Sequence, residues 1–108
     1  MSGTNRRIGL AVVRGRSMVP TFADGDRLLV LHGARPRPGR CHVVQLPARP
    51  IAVKRVAYAT DDGWWVLSYN AAEGTDSRVL GAIPPEGMIA RVIAKRLAPI
   101  YTSDSIQA

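Results

Sequence analysis

The sequence predicts a small, mostly β protein in which small antiparallel sheets coil into a partly open barrel. Three observations predict this fold: the chain has only 108 residues, its apolar and β-branched residues occur in short runs, and glycine- or proline-containing turns separate those runs. A chain of this length can bury one core but not two. We therefore expect a single domain over residues 1–98, followed by a flexible C-terminal tail over residues 99–108.

Each predicted strand is a short apolar run that ends at a turn signal. The turns at 14–15, 24–25 and 61–63 and the proline- and glycine-rich loop 33–39 divide the chain. The runs between them predict strands over residues 8–13, 26–31, 42–46, 51–56, 64–67 and 88–97. The last of these runs could also form a helix, and the polar stretch 68–81 is predicted to be a loop.

The charge and cysteine content narrow the range of partners. The formal net charge of +7 could attract nucleic acid or an anionic membrane surface. The basic residues are nevertheless spread from Arg6 to Arg96 and are not interleaved with aromatic residues, so we expect a basic solvated surface and no nucleic-acid partner. Cys41 is the single cysteine, which leaves no internal disulfide and no metal knuckle. We expect no metal and no cofactor.

The apolar runs are too short for a membrane span. A membrane-spanning helix needs roughly 20 apolar residues, and the N-terminal run stops at Arg14 without a small-residue cleavage site. We therefore expect a cytoplasmic protein without a transmembrane segment. Trp64 and Trp65 face opposite sides of a predicted strand, so one of them could be exposed for peripheral membrane or substrate contact. The sequence does not indicate whether the protein is a monomer or an oligomer.

A serine and a lysine are the candidates for chemistry. Gly15 and Pro20 place Ser17 on a constrained bend, where its hydroxyl is presented and not buried in a strand ladder. Serine needs a base, and neither histidine is convincingly placed to supply one. Lys54 lies in an apolar run, and burial there would lower its pKa and populate the neutral amine. Taken singly, each residue also has a structural explanation: a turn serine, and a lysine that extends to water.

Four segments occur in order over about 70 residues of the chain: 14–22 (RGRSMVPTF), 25–30, 53–55 (VKR) and 74–84. Together they resemble the boxes of the S24/S26 serine peptidase group, which includes bacterial signal peptidase I and the self-cleaving domains of SOS-type repressors. The resemblance implies a serine endopeptidase with a Ser/Lys dyad. Ser17 stands at the nucleophile position and Lys54 at the general-base position.

The resemblance also implies supporting roles. The Ser17 backbone N–H would contribute to an oxyanion hole, and Gly15 occupies the position where signal peptidases often carry a second, hydroxyl donor. Met18 would pack beneath the bend. Asp76 and Arg78 match an ion pair that braces the site.

One lysine contact of the group has no direct counterpart in this sequence. Gly74 matches a position where some members place a serine that hydrogen-bonds the lysine. Thr75 and Ser77 are the candidates to replace it.

Within the group, the SMVPT and VKRV motifs and the GWWVL motif look most like the nickel-type superoxide dismutase maturation proteases. This narrower resemblance implies an enzyme that removes an N-terminal extension or signal-like segment from a protein precursor. The alternative is a non-catalytic module on the same fold that binds a peptide or protein. Intact Ser17 and Lys54 favour the peptidase.

Overall fold

The computed structural model of the protein describes residues 7–96 and 106–107, which form seven strands and two short helical turns. The strands are β1 (Ile8–Val12), β2 (Arg27–His32), β3 (Cys41–Gln45), β4 (Ile51–Thr60), β5 (Gly63–Leu67), β6 (Met88–Arg96) and β7 (Ile106–Gln107). The helix α1 covers Ser77–Leu80, and a 3-10 turn covers Pro85–Gly87.

All of these strands belong to one sheet in the order β5-β4-β3-β6-β2-β1-β7. Every neighbouring pair is antiparallel except β1 and β7, which run parallel. Among the described residues, β5 and β7 are the two edge strands, so the sheet is partly open. The mostly β, antiparallel fold predicted from the sequence is confirmed, with a single curled sheet in place of several small ones.

The sheet buries side chains on both of its faces. Val43 and Val44 are neighbours on the central strand β3, yet they belong to different core clusters because successive strand residues point to opposite faces. One cluster includes Met18, Leu28 and Val53, and the other includes Val56 of β4, Val66 of β5 and Ile83. The side chains of residues 41–44 on β3 and of Val53 and Lys54 on β4 are therefore buried whichever face they point to.

The region between β5 and β6 differs from the sequence prediction. The stretch predicted as a loop contains α1, whose N-cap is Asp76: its carboxylate accepts the Arg78 backbone N–H.

Two further strands differ in detail from the prediction or decide between its alternatives. Asp61 and Asp62 form the turn between β4 and β5, and β4 is four residues longer than predicted because it continues to Thr60. The segment from Met88 forms a strand and not a helix.

The two tryptophans of β5 have different environments. Trp64 packs against the second core cluster and forms a β-bridge with Ile83. Trp65 stacks on the exposed Tyr58, with ring centroids 6.0 Å apart and an angle of 4° between the ring planes. Both tryptophans are half-buried, and Trp65 forms a surface aromatic pair with Tyr58.

The predicted flexible tail, residues 99–108, lies outside the described residues apart from Ile106–Gln107, which pair with β1. Within the described part of the chain, no helix combines the length and the apolar character that crossing a bilayer requires.

Candidate active site

Ser17 lies in a turn that begins directly after β1 and is held from two sides. On one side, Met18 is 1% exposed and packs in the first core cluster, as predicted. On the other side, the Asn70 backbone N–H donates to the Ser17 carbonyl (2.8 Å) and the Asn70 side-chain amide donates to the Arg16 carbonyl (3.1 Å). The Ser17 side chain is half-buried. The bend predicted from the sequence is thus fixed by packing and by hydrogen bonds.

Gly15 supports the turn through its backbone. Its φ of 85° lies in the left-handed region that favours glycine, and its N–H donates to a carboxylate oxygen of Asp24 at 2.8 Å. That N–H is therefore occupied within the chain. The Ser17 backbone N–H makes no hydrogen bond within the described residues.

Lys54 is buried on β4 and reaches the Ser17 hydroxyl. Only 2% of the residue is exposed, and its Nζ lies 2.9 Å from Ser17 Oγ. Burial lowers the pKa of the Lys54 amine, and the negative charge of Asp76 partly opposes this shift. The two residues, 37 positions apart in the sequence, thus meet in a geometry that suits proton transfer.

Ser68 makes the second contact to the lysine and was missed as a site residue by the sequence analysis. Its Oγ lies 2.9 Å from Lys54 Nζ. Arg55 pairs with Leu67 in the β4–β5 ladder, so the next opposing positions are Lys54 and Ser68. This register includes a shift between Val56 and Tyr58 that moves every later pair by one position. Hairpin register could have identified the serine, but only if the shift were known.

Ser77 and Thr75, the two residues expected to supply the hydroxyl contact to Lys54, have other places in the structure. Ser77 Oγ accepts the Val66 backbone N–H at 2.8 Å, which ties α1 to β5. Thr75 lines the same cleft as Ser17 and Lys54. A Cβ at Gly74 would collide with Ser68 Oγ and Ser17 Cβ. Glycine at this position therefore leaves the space that Ser68 fills from the other side.

Asp76 and Arg78 form the predicted ion pair and hold Ser68. The Arg78 Nη2 lies 2.6 Å from Asp76 Oδ2, and its Nε lies 3.1 Å from Oδ1. Asp76 Oδ2 also accepts the Ser68 backbone N–H at 2.8 Å. Burial alone would raise the pKa of Asp76, but these hydrogen bonds and the Arg78 charge lower it to about 2. The contacts connect Arg78, through Asp76 and Ser68, to Lys54.

A cleft of about 380 Å³ opens onto the Ser17 and Lys54 side chains. The turn around Ser17, the first residues of β4 and the segment 73–75 line it. Residues 51–54 of β4 pair with β3 on one side, whereas pairing with β5 starts only at Arg55. The other edge of residues 51–53 is therefore unpaired within the described structure.

No cluster of three or more potential metal ligands occurs among the residues that the structure describes. The arrangement of a buried amine, a hydroxyl and an open cleft suits nucleophilic chemistry without a metal.

The comparisons with known proteins identify the family. The profile of the Peptidase S24-like family matches residues 2–83, a range that includes Ser17, Lys54, Ser68, Asp76 and Arg78. No curated protein matches the chain. Because the matched region covers most of the sequence, the chain belongs to the Peptidase S24-like family.

Proposed function

We propose that this protein is a serine endopeptidase that uses Ser17 as nucleophile and Lys54 as general base to cleave a protein precursor. The observation that supports this proposal best is the distance of 2.9 Å between Lys54 Nζ and Ser17 Oγ. The Lys54 amine is also buried and has a second hydroxyl partner, Ser68 Oγ. Burial lowers the pKa of Lys54 and so favours the neutral amine that a general base requires.

The reaction would proceed by two acyl transfers. The lone pair of the neutral Lys54 amine accepts the Ser17 hydroxyl proton as Oγ attacks the scissile carbonyl carbon. The resulting ammonium returns that proton to the leaving amine, and the C–N bond breaks to leave an ester on Ser17. Water then attacks the ester with Lys54 again as base, releasing the carboxylic acid and restoring the serine hydroxyl.

The oxyanion that forms in each step needs hydrogen-bond donors. The Ser17 backbone N–H is a candidate because no group of the described chain accepts it. The Gly15 N–H is committed to Asp24. The second donor of the hole is thus expected to come from another group of the cleft, and removing one such donor typically costs about 10²- to 10³-fold in kcat.

The unpaired edge of β4 offers a way to hold the substrate. Residues 51–53 line the cleft and expose backbone groups beside Lys54. An extended peptide that pairs there as an added strand would bring its backbone alongside the dyad. Removal of an N-terminal extension or signal-like segment fits this mode, since such segments can be presented in extended form. A nickel superoxide dismutase precursor is the specific substrate that the sequence resemblance suggests.

Two substitutions test the dyad directly. We expect Ser17→Ala and Lys54→Met each to abolish cleavage of a precursor protein or of a quenched-fluorescent peptide library, because one removes the nucleophile and the other the base. Lys95→Met is the matched control. Lys95 is partly exposed, its Nζ lies 3.2 Å from Asp26 Oδ2, and it does not line the cleft at Ser17. Circular dichroism and thermal melts establish that each variant is folded.

Cleavage that survives in either folded variant contradicts the dyad. A wild-type protein that binds precursor segments but cleaves none would instead be the non-catalytic peptide-binding module. A peptidase that cleaves other proteins and leaves the nickel superoxide dismutase precursor intact would remove that substrate and retain the activity.

A further inference from the structure

A second cleft, away from the dyad, lies where β3 and β6 separate. Strand β3 pairs with β6 only over residues 42–44, whereas β2 pairs with β6 from Ala90 to its end. Residues 92–95 of β6 therefore have a strand partner on one side only within the described structure. Two adjoining cavities of about 300 and 220 Å³ border this stretch and share Arg40, Val92 and Ile93. Neither cavity shares a lining residue with the catalytic cleft.

This second cleft carries positive charge without carboxylate partners. Arg37, Arg40 and Arg91 line one cavity, and in the described part of the chain none of the three forms an ion pair. By contrast, Lys95 at the other end of the cleft is neutralised by Asp26. Three like charges gathered on one wall repel one another, and an anionic ligand would relieve that repulsion.

Two of the three arginines, Arg40 and Arg91, are tied to the rest of the fold by hydrogen bonds. The Gly39 N–H donates to the Val56 carbonyl (2.7 Å), and the Val56 N–H donates to the Arg40 carbonyl (2.8 Å), so the loop continues the β3–β4 ladder. The Arg91 Nη1 donates to the Arg35 carbonyl at 2.8 Å, which orients its guanidinium group. The Arg91 guanidinium group and the backbone at Arg40 are thus already positioned, which reduces the freedom lost on binding.

The β6 residues that line the cleft beside the arginines favour an extended peptide over a free phosphate group. A phosphate would use only the guanidinium groups, whereas the unpaired edge of residues 92–95 offers backbone hydrogen-bonding groups in strand geometry. Apolar surface is also present, because Ile93 is 40% exposed and Phe22 lines the second cavity. An added strand with alternating acidic and apolar side chains matches all three features.

We propose that this cleft is a second docking site, which takes an acidic, extended segment of the protein substrate as a strand added to the β6 edge. The proposal rests on the proposed function, since it assigns the site to the peptidase's protein substrate. It places a specificity element outside the catalytic cleft: a precursor with an acidic segment would be held at two points.

Binding can be measured without proteolysis by using the full chain with Ser17→Ala. The probe is a fluorescein-labelled eight-residue peptide of alternating glutamate and valine, followed by fluorescence anisotropy at about 0.15 M salt, where only close charge contacts persist. Two matched peptides accompany it. One carries glutamine in place of glutamate, and the other keeps glutamate but has N-methyl groups on alternate backbone nitrogens.

The expected results separate charge from strand pairing. The glutamine peptide and the N-methylated peptide should each bind at least tenfold more weakly than the parent peptide. Arg37→Gln, Arg40→Gln and Arg91→Gln should each weaken binding of the parent about fivefold, in the range of a partly exposed ion pair. Arg7→Gln makes the same charge change elsewhere, and Arg49→Gln makes it in the catalytic cleft. Both should leave binding unchanged.

Several outcomes would overturn the proposal. Equal binding of the N-methylated peptide would show that no added strand forms, and equal loss in Arg49→Gln would place the peptide in the catalytic cleft. Displacement by millimolar inorganic phosphate without any dependence on the peptide backbone would identify a simple anion site. No binding at all would leave the arginines as charges that protect an open strand edge from aggregation. Because Ser17→Ala is used throughout, none of these results depends on whether the dyad cleaves peptides.

Discussion

Lys54 and His42 are opposing residues of the β3–β4 ladder, and their surroundings differ sharply. Both are almost completely buried, and burial lowers the pKa of both side chains. The Lys54 amine has two hydroxyl partners. Neither ring nitrogen of His42 has a hydrogen-bond partner among the described residues. Burial of a titratable group therefore does not by itself define an active site; a nucleophile within reach and an open cleft distinguish Lys54.

Burial, together with the charge of Arg91, favours the neutral form of His42. Burial lowers its pKa to about 4, and the positive charge of Arg91 adds to that shift. The Ala34 backbone lies close enough to oppose the shift but forms no hydrogen bond of good geometry with the ring. We expect Lys54 to control the pH dependence of activity and His42 to control that of stability.

The largest expected effect is the pH dependence of proteolysis. In the proposed mechanism only the neutral Lys54 amine accepts the Ser17 proton, so kcat/KM should rise about tenfold per pH unit below the lowered pKa of Lys54 and level off above it. Initial rates measured from about pH 7.5 upwards, where His42 is largely neutral in folded and unfolded chains, test this. A flat profile from neutral to mildly alkaline pH would contradict the role of Lys54.

The next effect concerns stability. The folded pKa of His42, about 4, lies below the unfolded value of 6.5, so the unfolded chain binds more protons between these values. The stabilisation is complete above pH 6.5 and is lost as pH falls towards 4. The expected loss is about 3 kcal/mol at most, from 1.36 kcal/mol per pKa unit.

Urea unfolding at pH values from 4 to 7 measures this loss. His42→Leu should abolish the slope because it removes the titrating group, whereas His32→Gln should retain it. Asp76, with its pKa of about 2, contributes a separate loss only below about pH 4. A His42→Leu variant with the wild-type slope would show that another group titrates in this range.

A smaller effect is expected at Ser68, which we place as a positioning residue. Ser68→Ala removes the hydroxyl 2.9 Å from Lys54 Nζ, so the amine is held less well against Ser17. We expect kcat to fall about tenfold with KM unchanged, the cost of one hydrogen bond to the base. Ser77→Ala is the matched control: it loses the bond to Val66 and should reduce stability without lowering kcat. A change in KM alone would contradict the positioning role.

The smallest effect is a shift of the activity profile in Asp76→Asn. The Asp76 charge raises the pKa of Lys54 against the effect of burial, so removing it should lower that pKa further. The rise in kcat/KM should then occur at lower pH, by a fraction of a pH unit. Asp26→Asn makes the same charge change beside Lys95 and should leave the profile in place. A shift towards higher pH would contradict the assigned electrostatics.

The strands and turns were largely predictable because each depends on neighbouring residues. Apolar runs bounded by Asp-Gly, glycine and proline signals predicted most of the sheet. Gly15 before Ser17 and Pro20 after it predicted the bend at the serine. Helix α1 was not predicted. It is only four residues long, and its Asp76 cap takes part in contacts with distant residues.

The candidate site was predictable only in part, because some of its contacts join residues that are far apart in the sequence. Ser17, Lys54, Asp76 and Arg78 stand in segments that resemble family boxes, whereas Ser68 has no such signal and reaches the lysine through a shifted hairpin register. Thr75 and Ser77 were the candidates by sequence proximity. In the structure the hydroxyl beside Lys54 belongs instead to Ser68, which directly follows the opposing strand β5.

The sequence by itself determined the order of strands and turns, the residue types able to do acyl-transfer chemistry, and the family to which the chain belongs. Only the tertiary structure decided which of these residues meet. The Ser17–Lys54 distance, the burial that lowers the Lys54 pKa and the open edges of β4 and β6 all depend on contacts between positions far apart in the chain. Such contacts follow from sheet register and two-faced burial, which local residue patterns do not specify.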